Sequence, residues 1–218
     1  MNEIPRLERA SPESNAFAYA ALVGGIPRVQ TEAFAVLPGL GENARIFHAL
    51  EKWKSGRFTH LLIAGLFPQE RTAIDFDIAT LRKKPFNIRK TRGVHTQVHA
   101  DNTLAQALWL AQRVIDLRIG SLTISAPPYH LPRALGTVWK TFMRAGISVR
   151  DCYLVPDATP MAPLDMVPEI SAHAVEMMPG EYRRTLSYGV KGDVATLPEL
   201  VAYVEQLVQV LRERGLVV

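Results

Sequence analysis

Three short stretches of this chain gather residues able to hold or transform an anionic group. In SAPPYHLPRAL (125–135), an apolar run ends at Ser125, two prolines follow, and His130 and Arg133 open a strongly apolar helix pattern. Residues three apart project to one side of a helix. Arginine is normally favoured at the opposite end, because a helix N-terminus already carries partial positive charge. Arg133 therefore calls for an anion beside it, and His130 is an imidazole suited to acid/base work near neutrality. The plain alternative is a hydrogen-bonded structural histidine and a solvated arginine.

In VLPGLGENARIF (36–47), an apolar strand runs into Gly39 and Gly41, and a helix carrying Arg45 follows. Gly39-x-Gly41-x-x-Ala44 fits the loose dinucleotide fingerprint, in which glycines let backbone approach a ligand and the helix N-terminus favours an anion. The acidic residue that NAD sites place about 20 residues further on is missing. The motif thus supports ligand contact without ordinary NAD use, against the alternative of a tight turn. In HADNTLAQAL (99–108), Asp101, Asn102 and Thr103 precede an apolar helix. One of them suffices as an N-cap, which leaves others to face a ligand. Gln106, one turn beyond Asn102, can share its face.

Two further features weigh less. His95, His99 and Asp101 alternate and would share a strand face as metal ligands, but Asp101 falls beyond the expected strand end, so no metal is assigned. RKKPFNIRKTR (82–92) is strongly basic around Phe86. Such a run is ordinarily a solvated face, and nucleic acid is not the favoured partner. There is no Gly-x-Ser-x-Gly elbow, Walker loop or Cys-x-x-Cys pair, which argues against those chemistries.

These loops need a scaffold. Candidate strands at 33–37, 60–64, 94–98, 121–125 and 149–155 alternate with helix patterns near 43–54, 69–83, 103–118 and 131–145. That order predicts a three-layer α/β fold with a mostly parallel sheet flanked by helices. In such sheets ligands bind at the carboxyl ends of strands, where all three loops fall. The helix at 103–117 is apolar almost all round and reads as a buried crossover. The chain reads as one domain over 1–218, with a helical extension in the first 30 residues, a proline-rich loop or lid over 156–180, and a C-terminal helix over 197–213. Hydrophobic residues make up 48% and charged residues 21%, and the net charge is +4. This globular balance compels neither nucleic acid nor membrane binding. The single cysteine, Cys152, excludes an intrachain disulfide. No stretch approaches the roughly 20 apolar residues of a membrane span, and no signal-peptide pattern opens the chain. The expectation is a cytoplasmic protein.

Taken together, the loops resemble the YdcF/SanA/ElyC-like family, a domain long labelled as of unknown function. Gly39, Gly41 and Arg45 match its first glycine cluster and arginine. ADNTLAQA keeps Asn102, Thr103 and Ala107 of its middle element. ISAPPYHLPRA keeps Ser125, His130, Arg133 and Ala134, and GEYRRTLSYGVKG (180–192) is similar to its closing element, with Glu181 and Tyr188 in place. The chain departs from the pattern at Ala100, where the family has serine, at Ala105-Gln106, where it has Glu-Asn, and at Leu40 in the glycine cluster. The resemblance implies a Rossmann-like fold and makes S-adenosylmethionine a candidate ligand. It also brings envelope roles for members with membrane anchors, of which this sequence shows none.

The leading expectation is a pocket for a nucleotide-like or other anionic small molecule, built from Gly39, Gly41, Arg45, Asn102, Thr103, Ser125, His130 and Arg133. A second is a hydrolase or transferase acting on a phosphorylated or pyrophosphate-linked substrate, with His130 as the catalytic acid/base and Ser125 or Asp101 placed to act as nucleophile. A third is a non-catalytic interaction protein that uses residues 82–92.

Overall fold

The structure, a computed structural model, describes residues 11–39, 43–66, 76–162, 164–167 and 172–217. Five apolar segments pair in parallel: β1 (Ala33–Val36), β2 (His60–Ile63), β3 (Val94–Thr96), β4 (Ser121–Ala126) and β5 (Tyr153–Ala158), in the order β3-β2-β1-β4-β5. Between them run α2 (Asn43–Lys54), α3 (Ile78–Arg82), α4 (Thr103–Leu117) and α5 (Leu131–Arg144). The result is the three-layer, Rossmann-like α/β architecture that the alternation predicts. β1 lies at the centre, with Val36 level with both Ile63 of β2 and Ser125 of β4. The chain leaves β1 for α2 and leaves β4 for α5. A crevice opens between these two exits, at the point where the strand order reverses.

Strand side chains alternate between the two faces. Leu62, Leu122 and Ile124 join the larger core with Leu110 of α4 and Leu135 and Phe142 of α5. Phe34, Val36, Leu61 and Ile63 join the second core with Ile46, Leu50 and Trp53 of α2. β4, reading SLTISA, alternates apolar residues with small hydroxyl residues. Thr123 on its hydroxyl face shares a 2.7 Å hydrogen bond with Thr31. The remaining helices are α1 (Pro12–Gly25), α6 (Ala174–Lys191) and α7 (Leu197–Glu213), with α1 packed on α5, α6 and α7 and with Tyr203 of α7 bonded to the Leu154 backbone of edge strand β5. No helix among the described residues is long and apolar enough to cross a membrane.

Four elements differ from the sequence reading. β5 starts at Tyr153 rather than 149, because the Asp151 carboxylate accepts from the Ser148 N–H and hydroxyl and holds 148–151 as a turn. It then runs on through Pro156, which an edge strand tolerates. The proline-rich 156–180 segment is not one irregular loop among its described residues. It holds the end of β5, a hairpin of β6 (Met166–Val167) with β7 (Ala172–His173), and the start of α6. The Glu176 carboxylate accepts from the His173 N–H there at 2.6 Å, and Pro179 falls within the helix. α4 is not buried all round, since Leu108 and Ile115 are 57% and 51% exposed. Of the helix expected over 69–83, only Ile78–Arg82 is helical, and 69–75 lies outside the described residues.

α1 docks through Ala16, Tyr19 and Val23. Gly136 of α5 makes this possible, because a Cβ there would lie 1.8 Å from Tyr19 Oη and 2.9 Å from Val194 Cγ1. Tyr19 Oη is buried and has no hydrogen-bond partner. Gly136→Ala should therefore cost about 1–3 kcal/mol or more in denaturant unfolding, the range for overpacking a core. Tyr19→Phe, which removes only the unpartnered hydroxyl, should be neutral or stabilising and should recover part of the Gly136→Ala loss.

Candidate ligand-binding site

The crevice holds a cavity of about 360 Å³ at the carboxyl ends of β1 and β4. Its floor is tied together by backbone-directed hydrogen bonds. The buried Gln106 amide, from the second turn of α4, donates to the Pro38 carbonyl at 2.9 Å and the Gly65 carbonyl at 2.7 Å, bridging the loops after β1 and β2. Gln97 accepts from the Gly65 N–H at 3.0 Å. Gly65 must lack a side chain, since a Cβ there would lie 2.5 Å from the His99 carbonyl carbon. Arg45 is 4% exposed and donates to the Leu37 carbonyl at 2.8 Å and the Tyr129 hydroxyl at 3.3 Å, with its guanidinium against Gly39.

One wall is ionic. α6 lies against α5 and lowers Glu181 onto the start of α5. The Glu181 carboxylate is 5% exposed. It accepts from His130 Nδ1 (3.0 Å), Arg133 Nε (2.6 Å), Arg133 Nη2 (3.2 Å) and Arg184 Nη1 (2.6 Å). The anion that Arg133 calls for at a helix N-terminus is thus supplied within the chain. Arg133 Nη1 also donates to the Thr103 hydroxyl at 3.3 Å, tying α5 to α4.

The charge states follow from burial and partners. Burial pushes the His130 imidazole down to about 4. The Glu181 carboxylate pulls the other way, and Arg133 and Arg45 add to the fall. His130 is therefore neutral at pH 7, and its contact with Glu181 is a hydrogen bond rather than an ion pair. An ionised carboxylate only accepts, so Nδ1 carries the proton and Nε2 carries the lone pair. The 3.1 Å approach of Arg133 Nη2 to Nδ1 is then a contact between two donors. Burial alone would raise the Glu181 carboxyl. Hydrogen bonds from His130 and Arg133 override it and hold the group far below the usual carboxylate range. Among the described residues the cavity sees the guanidiniums of Arg45, Arg133 and Arg184 against the carboxylates of Glu181 and Asp101.

The structure brings together Gly39, Arg45, Asn102, Thr103, His130 and Arg133 around this one cavity. Gly41 lies outside the described residues. Ser125 does not join the site. It is on the hydroxyl face of β4, with its Oγ 3.4 Å from both Asp157 Oδ2 and Thr159 Oγ1, because strand alternation turns it away from the cavity. Asn102 acts as the plain cap, its Oδ1 accepting from the Ala105 N–H at 2.9 Å. His95 pairs with His60 at 3.3 Å instead of sharing a face with His99 and Asp101, because β3 ends at Thr96. No group of three metal-ligating side chains occurs among the described residues. In the basic run, Phe86 is core against Phe47 and Phe76, so no aromatic is offered to a nucleobase. Reading the residues by pattern missed Arg184 and gave no role to Glu181, which entered through the resemblance alone. An acid just past an irregular proline-rich stretch, where the sequence reading places no helix, carries no periodic sign that it will be buried.

The sign of the pH dependence is set by His130. Between its ordinary value of 6.5 and about 4, the unfolded chain binds a proton there that the folded chain does not. Stability should fall as pH drops through this window, by on the order of 3 kcal/mol. Urea midpoints measured from pH 7 to pH 4 should show a shallower fall in His130→Asn than in the parent. Equal slopes would mean that His130 does not titrate as described. None of the protein-family models, curated proteins or solved structures compared with this chain matches it.

Proposed function

We propose that this protein binds an anionic small molecule in the cavity at the crossover between β1 and β4. The observation that carries this reading is the convergence of Arg45, Arg133 and Arg184 on one concave space at the carboxyl ends of the strands. Guanidinium forks match phosphate and carboxylate oxygens. Arg133 meets Glu181 and Thr103 with part of its donor set, and Nη1, which has one of its two hydrogens on Thr103, has a second for a ligand. The YdcF-like resemblance keeps S-adenosylmethionine as a ligand to be screened, although its sulfonium cation would meet charge of its own sign here.

Calorimetric titration with pyrophosphate tests the reading. The wild type should bind saturably. Arg184→Ala should bind at least five-fold more weakly with a smaller fall in Tm than Arg133→Ala, since Arg184 is half exposed and makes only one of the four contacts to the buried Glu181 carboxylate. Arg133→Ala should lose binding and also lose stability, because it leaves the buried Glu181 carboxylate short of its main partner. Absence of binding by pyrophosphate, phosphate, carboxylates and S-adenosylmethionine alike would reject the proposal.

The His130–Glu181 hydrogen bond favours a second reading, in which the bound molecule is also transformed. A carboxylate that fixes the tautomer of an imidazole leaves Nε2 able to take a proton from water or a substrate hydroxyl during hydrolysis or transfer at a phosphorylated centre. In that case kcat/KM should rise with pH through about 4 and stay level near neutrality. His130→Gln should remove turnover while pyrophosphate affinity stays within a few-fold. Turnover that survives this substitution would exclude His130 as the base.

A further inference from the structure

A second hollow, of about 330 Å³, lies on the other side of Arg133. It shares Asn102, Thr103, Arg133 and Arg184 with the first, so the two are compartments of one bent cleft with Arg133 at the bend. Each is near the lower size limit of small-molecule sites, and together they fall within the usual range of roughly 300–1,000 Å³. Their chemistry differs. The inner compartment carries the guanidiniums of Arg45, Arg133 and Arg184, with His130 and Glu181. The outer one adds Leu104, Val194, the Tyr188 ring, the Thr137 hydroxyl and the Asp193 carboxylate.

We infer that the ligand is a nucleoside phosphate lying across Arg133, with its phosphate oxygens in the inner compartment and its nucleoside in the outer one. This rests on the anion-binding reading above and deepens it. A bare inorganic anion would leave the outer compartment unused, and an alkyl tail would be laid against the Asp193 carboxylate. A ribose presents adjacent hydroxyls, which donate well to a carboxylate. Asp193 is half-exposed, and its Nη1 contact from Arg144 is long, at 3.8 Å, so its oxygens retain acceptor capacity. Leu104 and the partly exposed Tyr188 ring supply apolar surface for the flat face of a base, whereas Val194, 1% exposed, belongs to the core beneath them. Thr137 is buried and donates its hydrogen to the Arg133 carbonyl at 2.9 Å, so it shapes the compartment without offering a donor. Arg133 joins the compartments: its guanidinium lies 5.8 Å from the Tyr188 ring centroid and also reaches Glu181.

The test is calorimetry on the full chain with pyrophosphate, ADP and UDP. The nucleoside diphosphates should bind at least ten-fold tighter than pyrophosphate. Leu104→Trp, made at a half-buried position in the first turn of α4, should fill the outer compartment and cancel that gain, leaving pyrophosphate affinity within two-fold. Asp193→Ala, which removes only a half-exposed carboxylate, should cut the gain several-fold and serves if the tryptophan variant fails to fold. Pyrophosphate binding with no gain from either nucleoside would overturn this inference and leave the anion-binding reading intact. A gain untouched by both substitutions would overturn the assignment of the outer compartment. Failure of all three ligands to bind would overturn this inference, and failure of phosphate, carboxylates and S-adenosylmethionine as well would remove the underlying reading with it.

Discussion

The buried carboxylate of Glu181 is the constraint on which the candidate site depends. Without it, the start of α5 would hold a guanidinium against the positive end of the helix, beside a desolvated imidazole. With it, Arg133 is fixed by two nitrogens, His130 is held in one tautomer, and Arg184 is drawn to the cavity rim. Taking a carboxylate out of water costs several kcal/mol, which is recovered only when its lone pairs are met by well-placed donors. Here four contacts meet them. The arrangement adds specificity of geometry rather than net stability, because every partner is locked to a single place.

That geometry divides the labour among the arginines. Arg45 is turned inward to backbone and Tyr129 and secures the loop after β1. Arg133 faces both a carboxylate and the open space. Arg184, about half exposed, is the cation most accessible to an arriving anion. The cavity is therefore polar and pre-formed, with its basic groups already fixed before a ligand meets them. Gln106 plays the neutral counterpart of this role, since its one amide nitrogen joins the ends of two strands.

The fold was largely legible because its signals are local. Apolar runs alternate with helical periods, and caps at Asn102 and Thr196 mark helix starts. The loop clusters also fell at the carboxyl ends of the strands, as the topology requires. What escaped depended on information that a linear pattern does not carry. Ser125 looked like a site residue by its neighbours, yet the parity of β4 sends it to the opposite face. Val149 looked like strand, but the Asp151 side chain competes for the same backbone. The run at 156–180 hid a hairpin and a helix start because prolines mask periodicity. Phe86 looked available among lysines and arginines until tertiary packing claimed it. Glu181 lies 48 residues from Arg133 in sequence, and only the packing of α6 on α5 brings them together.

The order of the elements along the chain has a consequence during synthesis. All five strands of the parallel sheet, with His130 and Arg133, precede residue 159, whereas the carboxylate that His130 and Arg133 require arrives with α6. α1, near the other end, is held partly by the Tyr182 side chain of that same helix, whose hydroxyl bonds Pro12 and Ala16. A nascent chain that has just completed β5 thus has a sheet whose most polar corner is still solvated and whose first helix lacks part of its dock. Emergence of α6 satisfies both at once. α6 acts as a latch, since its Glu181 completes the ionic wall of the cavity and its Tyr182 completes the dock of the leading helix.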